Sequence, residues 1–172
     1  MKLRKAVITD AASLAALSME VWTGTYLRHG INAFFADYAL SEFTKAKFEA
    51  HLASRDDHFI VSDNEDGIDG FIRISQNRNA PVSDCSTTEI STLYVQPRHH
   101  GKGIGKGLLK AGIDNCSRFG AASVWLTTNS ENKPAIQFYL AQGFSIVGNT
   151  HFRIEDQIFP NTVFSFEIAG DR

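Results

Sequence analysis

A strand, a glycine-dense turn and a helix follow one another directly near the middle of this chain. The apolar run Leu93–Val95 leads into a turn with four glycines between positions 101 and 107, where an amphipathic helix begins. Glycines let the backbone approach a ligand closely, and the first helical turn offers N–H groups at the positive end of the helix dipole. Arg98, Lys102 and Lys106 add positive charge. The sequence therefore predicts a site for an anion such as a pyrophosphate.

Three interpretations of this turn compete. A P-loop requires a hydroxyl residue after its lysine, but Gly107 follows Lys106. A dinucleotide-binding turn requires an acidic residue about 20 residues further on, at the end of the next strand, and that strand ends in Thr127-Thr128-Asn129. The third interpretation is a helix start whose glycines serve close packing, and the turn alone leaves it open.

The composition excludes several classes of protein. The chain has 172 residues and a net charge of −2, which favours a single domain over residues 1–172 and argues against a nucleic-acid partner. Its apolar runs are too short for a signal peptide or a membrane span, so we expect no membrane partner. Cys85 and Cys116 are the only cysteines. They predict a cytoplasmic protein with buried thiols and no metal site.

Periodicity predicts the order of the elements. Leu3–Ile8 is expected to form a strand, Asp10 to cap a first helix, and Ser41 to cap a second. The stretch from Thr25 to Tyr38 between them is expected to be irregular or to form a short helix. Three strands follow, and the first two form a hairpin around the predicted turn Asn64–Gly67. A helix, a strand, a second helix and a C-terminal hairpin come next, and the hairpin strands Phe144–Val147 and Thr162–Ile168 are separated by a long polar connection. Consecutive strands without intervening helices favour a mixed α/β fold with a mostly antiparallel sheet.

Two motifs in this order resemble those of the GNAT N-acetyltransferase superfamily. Leu93-Tyr94-Val95 with His100-x-x-Gly103-x-Gly105 is similar to its motif A. Asn129-x-x-Asn132-x-x-Ala135-Ile136-x-Phe138-Tyr139-x-x-x-Gly143-Phe144 is similar to its motif B. The resemblance implies a mixed, mostly antiparallel central sheet of about seven strands with helices on both faces. It also implies an N-acetyltransferase that uses acetyl-CoA as its co-substrate.

The resemblance assigns a set of residues to the coenzyme. Pantetheine is expected along the backbone of the motif A strand, the pyrophosphate at the glycine turn, and a contact from the motif B asparagine. The implied residues are Leu93, Tyr94, Val95, His100, Gly101, Lys102, Gly103, Ile104, Gly105, Lys106 and Asn132. The family usually has Gln or Arg where this chain has His100, so affinity could depend on pH. A tolerated, solvent-exposed histidine is the alternative.

The same resemblance points to the groups that would move protons. Tyr139 matches the family tyrosine near the coenzyme sulfur and is a candidate general acid, the alternative being a core aromatic residue. The N–H group of Val95 could stabilise the oxyanion. Glu89, four residues before Leu93, is the candidate base, and a structural ion pair is its alternative role.

The N-terminal half should supply the acceptor site. Trp22, Tyr26 and Asp37 combine aromatic rings with a carboxylate, which suits a cationic amine. The alternative is that the aromatic residues only pack the first two helices against the sheet. More loosely, the chain resembles the bacterial PaiA-type polyamine acetyltransferases, so a polyamine is one candidate substrate. Other candidates are a peptide or protein N-terminus, a lysine, an aminoglycoside, or no substrate at all in a non-catalytic acyl-CoA-binding module. Analogy within the fold suggests a homodimer.

Overall fold

The structure, a computed structural model, describes residues 2–27 and 29–168. This part of the chain contains seven β-strands and five α-helices. The strands are β1 (Lys2–Lys5), β2 (Asp57–Asp63), β3 (Ile68–Ser75), β4 (Glu89–Val95), β5 (Ser123–Asn129), β6 (Ser145–Ile154) and β7 (Gln157–Glu167). The helices are α1 (Ala11–Tyr26), α2 (Ala33–Glu42), α3 (Lys45–Ala53), α4 (Ile104–Arg118) and α5 (Lys133–Ala141).

The strands form one sheet in the order β1-β2-β3-β4-β5-β7-β6. β1 pairs antiparallel with β2, and β7 pairs antiparallel with both β5 and β6. β4 and β5 run parallel, with Glu89 opposite Trp125. This arrangement confirms the predicted mixed, mostly antiparallel sheet of about seven strands.

The N-terminal strand is shorter than predicted. β1 ends at Lys5, and Ile8–Asp10 forms a short 3-10 helix instead of continuing the strand. The carboxylate of Asp10 explains the change, because it accepts a hydrogen bond from the Val7 N–H group at 2.8 Å and pairs with Arg4 at 2.7 Å. These contacts bend the chain one turn before α1. Asp10 therefore closes this turn with its side chain and makes no side-chain cap to α1.

The prediction that Ser41 caps the second helix was wrong. Ser41 lies inside α2, which begins after Asn32, whose side chain accepts from the Phe35 N–H group at 3.0 Å. Thr44 caps α3 in the same way through Lys47. Three α-helices therefore precede β2, where the sequence predicted two. Asn and Thr are both favourable cap residues, so the sequence contained the signals for α2 and α3, but the prediction counted only one helix there.

The C-terminal hairpin is longer than predicted. β6 and β7 pair from Ser145 opposite Ser165 to Ile154 opposite Gln157, with a bulge between Ile146 and Gly148. The expected long polar connection is therefore strand, closed by a two-residue turn in which Glu155 has a φ of 50°. Polar residues at this edge obscured the strand pattern.

The described residues divide into two compact units, between which β3, β4 and α4 are shared. The first comprises the residues up to Arg73 together with Thr92–Gly112, and the second comprises Ile74–Ser91 and the residues from Ile113 on. The core of the first contains Leu14, Phe48, Phe59, Val61 and Phe71 among its buried residues. The core of the second includes Val124, Leu126, Phe144, Val163 and Phe164.

A buried ion pair joins two strands of the first unit. Arg73 donates from Nε and Nη2 to the two carboxylate oxygens of Asp57 at 2.9 and 3.0 Å. Its Nη2 also lies 2.9 Å from Nδ1 of His51 on α3, and its guanidinium lies over the ring of Phe59. Burial, followed by the positive charge of Arg73, lowers the pKa of His51. The neutral imidazole therefore accepts the hydrogen bond from Arg73.

Candidate functional site

The glycine turn has the backbone geometry that an anion site requires. Gly101 and Gly103 have φ values of 77° and 79°, in the left-handed region that favours glycine. A Cβ atom at either position would meet nothing within 4 Å, so both glycines border open space. Gly107 N–H donates to the carbonyl of Gly103 at 2.9 Å, which begins the hydrogen bonding of α4. The N–H groups before Gly107 in the first turn therefore have no acceptor within the helix.

Gly70 on β3 allows the start of α4 to pack closely against the sheet. A Cβ atom built there would lie 3.0 Å from the carbonyl oxygen of Tyr94. It would also lie 3.1 Å from Cδ1 of Leu108 and 3.2 Å from Cγ2 of Ile104. The position of the glycine turn thus depends on the absence of a side chain at residue 70. Sequence reasoning missed this residue, because a glycine inside a strand pattern is the only signal.

Two acidic residues far away in the sequence hold the segment that precedes the turn. Glu20 on α1 accepts from Gln96 Nε2 at 2.8 Å and from Arg98 Nη2 at 3.0 Å. The hydrogen bond from Gln96, with a contribution from Arg98, lowers the pKa of Glu20. Asp69 on β3 lies 3.9 Å from Nδ1 of His99. Arg98 is therefore paired with a carboxylate, and sequence reasoning missed both acids.

The predicted coenzyme residues on β4 present mainly backbone atoms. Val95 is buried, and the ring of Tyr94 packs against Phe71 at 5.8 Å in an edge-to-face contact. Nε2 of His100 lies 3.0 Å from the Val95 carbonyl oxygen. Because a carbonyl can only accept, this nitrogen carries the hydrogen in that contact. His100 is thus turned onto the end of β4.

Glu89 stands in a polar group at the start of β4. The Ser91 hydroxyl lies 3.1 Å from Oε2 of Glu89 and 2.6 Å from the hydroxyl of Ser75. Ser75 is fully buried, whereas Glu89 and Ser91 are half-buried. The sequence singled out Glu89 but missed the two serines, of which Ser91 shares a strand face with Glu89 through the two-residue spacing.

The two motif B residues lie on α5 and at its start. The side-chain oxygen of Asn132 accepts from the Ala135 N–H group at 3.2 Å, which makes Asn132 the cap of the helix. Tyr139 is buried among Phe138, Phe144 and Phe164, with ring centroids 5.3 to 5.7 Å away. Burial raises the pKa of the Tyr139 phenol, so the hydroxyl stays protonated well above neutral pH.

The three predicted acceptor residues differ in exposure. Trp22 is 4% exposed and forms the centre of an aromatic cluster with Tyr26 and Tyr38 at 4.9 and 5.0 Å. Burial, with the charge of Glu42 next, raises the pKa of Tyr38 to about 12. Tyr26 is half-buried and Asp37 is exposed on α2. Trp22 therefore offers a ligand little surface, whereas Tyr26 and Asp37 offer more.

The predicted residues fall into two groups. The coenzyme residues Leu93–Val95 and His100–Lys106, together with Trp22, Tyr26 and Asp37, belong to the first unit. Glu89, Asn132 and Tyr139 belong to the second. In residues 2–27 and 29–168 no three histidine, cysteine or acidic side chains are grouped so that they could hold a metal ion. None of the helices described here is both long and apolar enough to span a membrane.

Comparisons with known proteins agree with this geometry. The acetyltransferase (GNAT) family model matches residues 20–144. An uncharacterized N-acetyltransferase of Mycobacterium tuberculosis is 26% identical over 147 residues, which are 86% of this chain and 90% of that protein. Streptothricin acetyltransferase of Streptomyces lavendulae is 33% identical over 101 residues, 51% of this chain and 53% of its own length.

Among solved structures, the PaiA N-acetyltransferase of Thermoplasma acidophilum in complex with coenzyme A has a similar fold. Its TM-score is 0.76 at 20% identity, with 96% of this chain and 98% of that chain covered. Nourseothricin acetyltransferase matches with a TM-score of 0.57 at 24% identity, over 67% of each chain. At these identities the likeness concerns the fold.

Proposed function

This chain belongs to the acetyltransferase (GNAT) family, and from that premise we propose that it acetylates a primary amine of a small molecule. Its co-substrate is acetyl-CoA, and its activity is N-acetyl transfer. The observation that carries the proposal is the match over residues 20–144, which contains the glycine turn, β4, Asn132 and Tyr139.

The glycine turn is the proposed pyrophosphate site. The left-handed backbone of Gly101 and Gly103 and the open space beside both residues fit a close approach by a diphosphate. The N–H groups of residues 103–106 would donate to its oxygens. Because Glu20 already pairs with Arg98, the charge would come from Lys102 and Lys106, both exposed.

The backbone of Leu93 and Val95 is the proposed contact for pantetheine. The N–H group of Val95 is the proposed donor to the developing oxyanion. Because Oδ1 of Asn132 is occupied as a helix cap, its Nδ2 group would donate to the coenzyme. Tyr94 would contribute through its main chain, since its ring packs on Phe71.

Glu89 and Tyr139 are the proposed proton-transfer groups. As the amine nitrogen bonds to the acetyl carbon, Glu89 would take the proton that the amine loses, directly or through water. As the carbon–sulfur bond breaks, the Tyr139 hydroxyl would give a proton to the departing thiolate. The raised pKa of Tyr139 supports this role, because the phenol remains a donor at neutral pH.

The acceptor amine is proposed to bind beside the aromatic cluster around Trp22. Tyr26 and Asp37 would contact the cation, through the ring face and the carboxylate respectively. Polyamines are one candidate class, on the resemblance to PaiA-type enzymes. An aminoglycoside is another candidate, and one relative is named streptothricin acetyltransferase.

The test is release of free thiol from acetyl-CoA with a panel of spermidine, an amino sugar, amino alcohols and a short peptide with a free N-terminus. We expect turnover with at least one small amine. Tyr139→Phe should lower kcat by about 100-fold or more, the usual scale for a lost general acid, with unchanged KM for acetyl-CoA. Turnover confined to the peptide, or binding of acetyl-CoA without any turnover, would contradict the proposal.

A further inference from the structure

A row of side chains crosses β4, β5 and β7 in the second unit. Glu89 on β4 faces Trp125 on β5, and Trp125 faces Ser165 on β7. Facing residues of neighbouring strands project from the same side of a sheet. Glu89, Trp125 and Ser165 therefore share one face, and they share it with Ser91, two residues from Glu89.

The indole nitrogen of Trp125 has no partner in the described part of the chain. Trp125 is 5% exposed, and its Nε1 is buried without a hydrogen bond. An indole N–H group can only donate, so the missing partner is a hydrogen-bond acceptor. Leaving such a group buried and unpaired costs free energy, and native structures rarely tolerate it without a reason.

Polar residues stand opposite Trp125 on both neighbouring strands, Glu89 on β4 and Ser165 on β7. Ser75 and Ser91 bond to each other beside Glu89. On β7, Ser165 hydrogen-bonds the thiol of Cys85, which lies in the segment between β3 and β4. A ring placed here only for packing would need no N–H group, and phenylalanine would serve. The unpaired donor thus belongs to a residue that stands opposite a carboxylate in the strand register.

We propose that Trp125 is a specificity-determining residue whose indole N–H donates to an oxygen atom of the acceptor amine. The inference rests on the proposed function, in which Glu89 takes the proton of that amine. Neighbouring strands are about 4.8 Å apart, so one small molecule can place its nitrogen at Glu89 and its oxygen at Trp125.

The substrate class that follows is an amine with a nearby hydroxyl, ether or carbonyl oxygen. Amino alcohols, amino sugars and amino acid amides share this chemistry. A polyamine does not, because a protonated amine has hydrogens to donate and no lone pair to accept the indole hydrogen. Trp125 therefore favours an oxygen-bearing amine over a chain that carries amines alone.

The experiment compares amines that differ in the oxygen atom. Ethanolamine is paired with propylamine, and glucosamine with cyclohexylamine, and kcat/KM is measured for each by thiol release. We expect the wild-type enzyme to favour the oxygen-bearing member by about tenfold, the worth of one good hydrogen bond. Trp125→Phe keeps a buried ring but removes the donor, and it should bring the ratio close to one.

A matched control is available in the same row. Ser165→Ala removes a polar group beside Trp125, and it should leave the substrate ratio unchanged. In Trp125→Phe the KM for acetyl-CoA should stay near the wild-type value, whereas the melting temperature should fall, because the smaller ring leaves part of the buried volume of the indole unfilled. A spermidine arm tests the competing class directly.

Several outcomes would overturn the inference. If the kcat/KM ratio within a pair is the same in wild type and Trp125→Phe, the indole N–H has no role in specificity. An equal loss of activity on both members of a pair gives the same conclusion and indicates that Trp125 serves packing alone. Turnover without preference for oxygen, or preference for spermidine, defeats this inference and leaves the proposed function standing. Absence of turnover with every amine defeats both.

Discussion

Gly70→Ala tests whether the packing of α4 against β3 positions the coenzyme turn. The added methyl group would lie 3.0 to 3.2 Å from Tyr94, Leu108 and Ile104, closer than ordinary van der Waals contact. One of these neighbours is a backbone carbonyl at the end of β4, and the other two belong to the first turns of α4. The strand and the helix must therefore separate by a few tenths of an ångström.

Two opposing effects set the size of the change. Overpacking of this kind costs about 1–3 kcal/mol, whereas replacing a glycine by alanine gains about 0.4–1 kcal/mol by restricting the unfolded chain. The clash exceeds the gain, so we expect a net loss of about 1–2 kcal/mol. For a chain of this length the melting temperature should fall by roughly 2–8 °C. The KM for acetyl-CoA should rise severalfold, because the N–H groups of the turn move with the helix.

Gly24→Ala is the matched control within the same unit. Gly24 is exposed on α1, and a Cβ atom there would meet nothing within 4 Å. Alanine should stabilise this helix by up to about 1 kcal/mol. Calorimetry should show a lower melting temperature for Gly70→Ala and a higher one for Gly24→Ala. The KM for acetyl-CoA should rise only in Gly70→Ala. A Gly70→Ala protein that melts no lower than wild type and keeps its KM for acetyl-CoA would refute it.

Two further perturbations follow from the same structure. Gly103→Glu should abolish the thermal stabilisation by acetyl-CoA, since it strains a φ of 79° and places a negative charge at the turn. Gly120→Ala, strained by a φ of 76° just beyond the end of α4, should lower stability but keep that response, and the same loss in both would contradict the site. Folding stability should fall with acidification, because the pKa of His51 in the folded protein is lowered below 6.5 and the unfolded chain therefore takes up the proton first. The stability that neutral His51 contributes is present above about pH 6.5 and is lost as the pH falls through the lowered pKa. Denaturant unfolding at about pH 7.5 and about pH 5 should show a smaller loss in His51→Gln, and an equal loss would count against the Arg73 contact.

Local signals predicted most of the fold. The turn Asn64–Gly67 was predicted from its residue types, and its hydrogen bond from Asn64 N–H to Gly67 carbonyl is present at 2.9 Å. β2 and β3 on either side confirm the predicted hairpin. The errors lie where a side chain overrode the pattern, as Asp10 did after β1, or where polar residues sit on an edge strand, as in β6. An alternating pattern of apolar residues arises because one face of a strand is buried. An edge strand buries little of either face, so its sequence shows little alternation.

The candidate site divides in the same way. The coenzyme residues from Leu93 to Lys106 are contiguous, so a motif could assign them all at once. Strand pairing brings Ser75 and Trp125 close to Glu89. The spacing of these residues in the sequence does not predict that pairing. Gly70 is important because it has no side chain, which allows close packing. In the sequence, a glycine at this position only weakens the predicted strand.

The positive charge of the glycine turn is smaller than the sequence implies, and this affects how the turn would hold an anion. Arg98 pairs with Glu20, so its charge already faces a carboxylate. An exposed ion pair of this kind contributes about 0–1 kcal/mol, and Arg98 is 70% exposed, so the pair holds the segment in place more than it stabilises the protein. Electrostatic attraction from Lys102 and Lys106 is screened by salt, whereas N–H groups fixed by the left-handed glycines are not. Binding of acetyl-CoA should therefore depend on the backbone of the turn far more than on its lysines.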